Sequence, residues 1–185
     1  GEFDQKVSKN VVKDSELTQT NLVQIYSLNS LTEREMNYVM PLFNMIFGSG
    51  SLESKLYKSL RGENGLCYNV STFYQKYDKA LIVHTAIDEE KTKLSLKLIK
   101  NCLRDMVKGS ITEEELENVK GLIITSLHLI LDSPSRLIDM YLFKNIADLP
   151  DLEDRIDEFK NVEMKDLVLL AKKLHLVMTY RMRGE

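Results

Sequence analysis

The stretch that decides the fold is Leu66 to Asp88, "LCYNVSTFYQKYDKALIVHTAID". Two runs rich in β-branched, aromatic and aliphatic residues, about Leu66 to Gln75 and Ala80 to Asp88, flank Lys76-Tyr77-Asp78-Lys79, a pattern that predicts two strands joined as a hairpin. Strands linked this tightly pair antiparallel. Strict alternation places Leu66, Tyr68, Val70, Thr72 and Tyr74 on one face of the first strand, and Cys67, Asn69, Ser71 and Phe73 on the other. Just upstream, "RGENGLCY" sets the Arg61 guanidinium seven residues before the Tyr68 phenol, across an Asn64-Gly65 turn. A plain loop needs only the Asn-Gly pair.

Helical signals surround this hairpin. Leu17 to Leu28 is rich in β-formers and reads as a strand. Thr32 and Glu35 then form a capping box, followed by Met36, Val39, Met40, Phe43, Ile46 and Phe47 at helical spacing. Pro41 lies inside this helix and is expected to kink it. Gly48-Ser49-Gly50-Ser51 stops it and caps a second helix, about Leu52 to Leu60. The glycine-serine loop lacks the spacings of a phosphate cradle, which favours helix punctuation. After the hairpin, a helix carrying Leu94, Leu98, Ile99, Cys102, Leu103 and Met106 ends at Gly109. A longer one opens with the capping box Thr112/Glu115 and continues through Leu116, Val119, Ile123, Leu127, Ile130 and Leu131. Ser133-Pro134 opens a third, to about Ile146. Two shorter helices, about Leu152 to Phe159 and Met164 to Leu174, precede a last strand, Leu176 to Met182. Helices in runs and a hairpin-paired sheet give an α+β domain: a mainly antiparallel sheet of about four or more strands, with helices packed on one face.

Composition narrows the function. The chain has 185 residues, 43% of them hydrophobic, and a net charge of -3 with both signs interspersed. That is enough apolar material for one core without staples, and no basic footprint marks nucleic acid or an anionic membrane as a partner. No apolar run approaches the roughly 20 residues that span a bilayer. Gly1-Glu2-Phe3 reads as a vector scar and residues 1–16 as a tag remnant with a polar lead-in, leaving 17–185 as the single domain. Cys67 and Cys102 lack metal-ligand or CxxC spacing and read as reduced thiols of a cytoplasmic protein. A pairing of Cys67 with a histidine finds no local base or orienting group, so a structural thiol is the simpler reading. His84, His128 and His175 are scattered, and neither HxxEH nor HExxH occurs, so no zinc site is expected in this chain. The acidic runs at Asp88-Glu89-Glu90 and Glu113-Glu114-Glu115 fall at helix starts, where carboxylates suit the helix dipole.

Arg61 and Tyr68 stand in a wider framework, "FGSGSLESKLYKSLRGENGLCY" over residues 47–68. A glycine-serine loop, a helix of "SxLYxxLR" type and an arginine seven residues before a tyrosine resemble the second-half signature of the pitrilysin/insulinase family of inverted-motif zinc metallopeptidases, which include the processing peptidases. The resemblance continues through the hairpin, "ITEEELENVKG", the Ser-Pro-Ser helix start and "IDEFKNVEMKDLVLLAKKL", about residues 17 to 182. It implies a bacterial-type clamshell peptidase of two homologous halves. In it, the missing N-terminal half or a homologous subunit holds zinc through HxxEH and a later glutamate. It further implies that this chain contributes Tyr68 and Arg61 as assisting catalytic and substrate-binding residues for a peptide, and that it is not catalytic alone. Two other readings stay open: a silent scaffold subunit of a peptidase heterodimer, and a free-standing peptide-binding module. Taken singly, an arginine before a turn and a tyrosine in a strand are more often surface charge and edge packing. A half cut from its partner is expected to form a weak homodimer.

Overall fold

The computed structural model describes residues 9–17, 19–48, 52–136, 138 and 151–184. Five strands form one sheet: β1 (Lys9–Leu17), β2 (Thr20–Ser27), β3 (Cys67–Gln75), β4 (Ala80–Ile87) and β5 (His175–Gly184). Their order is β1-β5-β2-β4-β3, with β1 parallel to β5 and the other neighbours antiparallel. The mainly antiparallel α+β architecture read from the sequence is therefore observed. One difference concerns the start of the chain, where the polar stretch expected to be a lead-in supplies β1. Its sequence, KNVVKDSEL, lacks a clean apolar period, and its place comes from backbone pairing with β5 at the sheet edge.

Alternation works best in the middle of the sheet. Along β2, Thr20, Leu22, Gln24 and Tyr26 are buried, while Asn21, Val23, Ile25 and Ser27 are half-exposed. On β4 the buried set is Leu81, Val83, Thr85 and Ile87. Every second residue thus turns toward the helices and the rest line an open face. The covered face is not wholly apolar. Gln24 donates to Thr179 Oγ1 at 3.2 Å and accepts from the Tyr26 hydroxyl at 2.9 Å, so these buried polar groups satisfy one another. Burial pushes the Tyr26 phenol up.

The helical layer starts with the Thr32/Glu35 capping box: Glu35 accepts from Thr32 N at 2.8 Å and Thr32 Oγ1 accepts from Glu35 N at 3.1 Å. A π turn, Glu35–Val39, runs directly into α1, Met40–Phe47, and buries Tyr38, Val39, Met40, Phe43, Ile46 and Phe47. Pro41 sits in the first turn of α1. The expected disturbance takes the form of a wide turn upstream, which leaves room for a ring that would otherwise meet the carbonyl four residues back. The helix α2, Thr92–Lys108, ends at Gly109 in the left-handed conformation, φ 74°, as anticipated. Next, α3, Glu113–Leu131, begins on the anticipated Thr112/Glu115 box. Beyond it, α4, Leu152–Lys160, packs on α3, and α5, Met164–Lys172, packs on α2. A third capping box, between Glu163 and Asp166, escapes the usual Ser/Thr signature. Residues 1–3, the whole of Ser49-Gly50-Ser51 and most of the Ser133 to Ile146 helix expectation lie outside the described residues.

Candidate functional site

The Arg61 to Tyr68 stretch is built differently from the sheet's middle. A second π turn, Tyr57–Glu63, carries Arg61 in its last turn, so the helix starts later and runs further than the Leu52 to Leu60 expectation. Leu56 and Leu60 are fully buried and anchor this turn to the core. Its end is fixed by Gly65, in the left-handed region at φ 58°, with Gly65 N donating to the Arg61 carbonyl at 2.9 Å and Leu66 N to the Leu60 carbonyl at 2.7 Å. Asn64 adds a side-chain bond to the Ser59 carbonyl at 2.6 Å. The Asn-Gly pair thus terminates a helix, the glycine role that a left-handed stop requires.

Where β3 begins, its register with β4 slips. Cys67 lies opposite Ile87 but Val70 lies opposite Thr85, three steps on β3 against two on β4. This is a β-bulge at Tyr68 and Asn69. The Asn69 carbonyl accepts from Thr85 Oγ1 at 3.0 Å. Because of the extra residue, Tyr68 does not join Val70 and Thr72 on the buried face as strict alternation expects. Its side chain is 80% exposed. Cys67 instead faces the same side as Ile87, whereas His84 lies on the opposite face of β4 and bonds Asn21 at 3.1 Å. A Cys67–His84 pair is therefore excluded by the pleat. The Cys102 thiol, buried under the second π turn, donates to the Lys55 carbonyl at 3.6 Å, and burial pushes its pKa up.

The slip brings Arg61 and Tyr68 together. Arg61 Nη1 donates a hydrogen bond to the Tyr68 carbonyl, and the Arg61 Cζ lies 5.6 Å from the Tyr68 ring centroid. Tyr57 places a second ring centroid 5.5 Å from the same carbon. The sequence reading named Arg61 and Tyr68 but gave Tyr57 no role in the site. Its signal was the Tyr57-x-x-x-Arg61 spacing, which returns two side chains to one side of a helix. The arrangement offers a phenol hydroxyl in solvent on a fixed backbone, beside a guanidinium with further donors.

Residues 2–122 match the family described as "Peptidase M16 inactive domain". The chain belongs to this family. It is 26% identical over 148 residues to the "Uncharacterized zinc protease YmxG" of Bacillus subtilis, an alignment covering 76% of this chain and 35% of that protein. In fold it is similar to a conserved protein from Enterococcus faecalis, with TM-score 0.86 and 24% identity over 97% of this chain and 43% of the other. A peptidase M16 inactive domain from Pseudomonas fluorescens gives TM-score 0.77 and 16% identity over 96% of this chain and 44% of that one. The chain thus spans about a third of YmxG's length and less than half of these two structures. Among the described residues no group of three His, Cys, Asp or Glu side chains could hold a metal ion. The three histidines stand apart, on β4, in α3 and at the start of β5, so these donors do not fit a zinc centre. No described helix is long and apolar enough to cross a membrane.

Proposed function

We propose that this chain is the substrate-binding, transition-state-assisting half of a bacterial zinc peptidase of the processing type, and that a complementary homologous half holds the metal. The observation that carries the reading is the Tyr68 hydroxyl, presented to solvent on a bulge whose backbone is tied to Arg61. Bulges re-aim side chains beside active sites. When a peptide bond is attacked, charge builds on its carbonyl oxygen, and a donor already fixed at that place stabilises the transition state more than the ground state. Tyr68 has the chemistry to be that donor, from the wall of the cleft facing the zinc-bearing half. Arg61 fixes the Tyr68 main chain and keeps further N–H donors for the substrate backbone or the developing charge. The free thiols Cys67 and Cys102 suit a reducing cytoplasm.

Kinetics of the assembled peptidase test the reading. Tyr68→Phe keeps the ring and deletes one donor, so kcat should fall by about 10²–10³ while the melting temperature of the chain stays nearly unchanged. A wild-type kcat in that variant sinks the assisting role and leaves the silent scaffold. Without its complementary half, the chain should associate weakly with itself through the open sheet face, where Phe73 is exposed and Val23, Ile25 and Ile82 are half-exposed. Light scattering over a concentration series checks this, and a strict monomer at high concentration counts against it.

A further inference from the structure

We infer that Tyr57 is a positioning residue of this site, and that the Tyr57, Arg61 and Tyr68 side chains form a stacked clamp that sets the direction of the Tyr68 hydroxyl. The inference deepens the proposed function and rests on it. Tyr68 is 80% exposed, and an exposed tyrosine ordinarily samples several side-chain rotamers on a fast timescale. A hydroxyl that must meet a developing oxyanion within a few tenths of an ångström cannot be left to that freedom.

The structure supplies a restraint in three parts. The Arg61 guanidinium carbon is 5.6 Å from the Tyr68 ring centroid and 5.5 Å from that of Tyr57, both within the range of a cation held over an aromatic face. Its Nη1 donates to the Tyr68 carbonyl, so one cation holds both the ring and the main chain of the same residue. Tyr57 closes the stack from the core side. It is half-buried and packed against the hydrophobic core, on a turn anchored by the fully buried Leu56 and Leu60. The order of restraint therefore runs from the core through Tyr57 and Arg61 to the solvent-facing Tyr68. A lysine at Arg61 could not reproduce this, since it has no planar face to set against two rings and no fork to donate at the same time. The hydroxyl of Tyr57 has no part in the clamp; only its ring does.

Two measurements test the clamp. In this chain as it stands, NMR should find the Arg61 side-chain resonances displaced by the two rings. The displacement should shrink by about half in Tyr57→Leu, because one of two comparable ring contacts is removed, and persist in Tyr57→Phe. In the assembled peptidase, Tyr57→Leu should lower kcat about tenfold, the cost of a misplaced donor, with KM changed less, and Tyr57→Phe should restore it. Retained amide dispersion in Tyr57→Leu separates this from unfolding, and if that variant does not fold, Tyr68→Leu at an exposed position removes the other ring instead: about half of the Arg61 displacement should then persist, held by Tyr57, and its complete loss overturns the clamp. Arg61 resonances that ignore Tyr57→Leu overturn the clamp. Loss of kcat in Tyr68→Phe with full kcat in Tyr57→Leu overturns the clamp alone, whereas full kcat in both overturns the assisting role of Tyr68 and the clamp with it.

Discussion

Between β2 and β4 the register runs unbroken from Thr20 opposite Ile87 to Ser27 opposite Ala80; one strand further out, β3 meets the same β4 with an extra residue at Tyr68 and Asn69. The contrast separates two kinds of residue. In the regular pair, a side chain's direction follows from its parity and its energy from the apolar area removed from water. At the bulge, direction is set by pairing and by the end of the neighbouring helix, and an aromatic side chain is left in solvent. Regularity there stabilises, and irregularity here leaves a side chain facing solvent.

The sharpest way to break this comparison is to exchange the expected costs. Leu81 is fully buried on β4, so Leu81→Ala should destabilise the chain by about 2–5 kcal/mol, read as a large fall in the urea midpoint. Tyr68→Phe should leave that midpoint where it is. If the two variants were equally destabilising, Tyr68 would be a packing residue and the contrast would fail.

A smaller effect tests how the two regions are joined. At Gly48, an added Cβ would run into Thr72 Cγ2 on β3 and come within 2.7 Å of Leu56 Cδ1. Thr72 cannot swing away freely, because its hydroxyl donates to Asn44 Oδ1 at 2.6 Å and its carbonyl accepts from Asn44 Nδ2 at 3.3 Å. Gly48→Ala should therefore cost about 1–3 kcal/mol by overpacking. A chemical denaturation curve indistinguishable from wild type would show that α1 and β3 are not seated as described.

The smallest expected effect is on acid stability and belongs to neither region. Burial pushes the Glu35 carboxyl up, but bonds from Lys173, at 2.7 and 2.9 Å, and from Thr32 outweigh it and hold the group below its ordinary 4.5. Asp166 is likewise raised by burial and lowered further by Arg34 and the Glu163 main chain, ending below 3.8. Carboxyls depressed in the folded state stabilise it above their unfolded values, and that stability is lost as pH falls through the folded ones. Denaturant midpoints should decline below about pH 4.5, and Lys173→Met should flatten the Glu35 share of that decline. A midpoint insensitive to Lys173→Met in this range would remove the ion pair from the account.

What could be read from residues alone follows the same division. Alternation along Leu81, Val83, Thr85 and Ile87, the boxes at Thr32/Glu35 and Thr112/Glu115, and the glycine stop at Gly109 are local signals, carried by the residues that use them. The pairing of Arg61 with Tyr68 was also reachable, through the family's spacing. The direction of Tyr68 was not, because one slipped residue against β4 inverts the parity and nothing in Cys67-Tyr68-Asn69-Val70 announces it. Nor was β1, whose mixed polar sequence is accommodated by an edge position beside β5, or the Glu163/Asp166 cap, which substitutes a carboxylate for the usual hydroxyl.

The position of β5 bears on how the chain is made. This strand follows every other described element in sequence, yet it sits second in the sheet, hydrogen-bonded to β1 on one side and β2 on the other. During synthesis, β2, β3 and β4 can assemble early, but β2 keeps a bare edge and β1 has no neighbour until His175 to Gly184 emerges. The closing contacts then join residues more than a hundred positions apart, the kind of pairing that is slow to form. The nascent chain thus carries an open strand edge until this last strand emerges, and it is in that interval, more than in the finished fold, that a chaperone or a neighbouring copy would find something to grip.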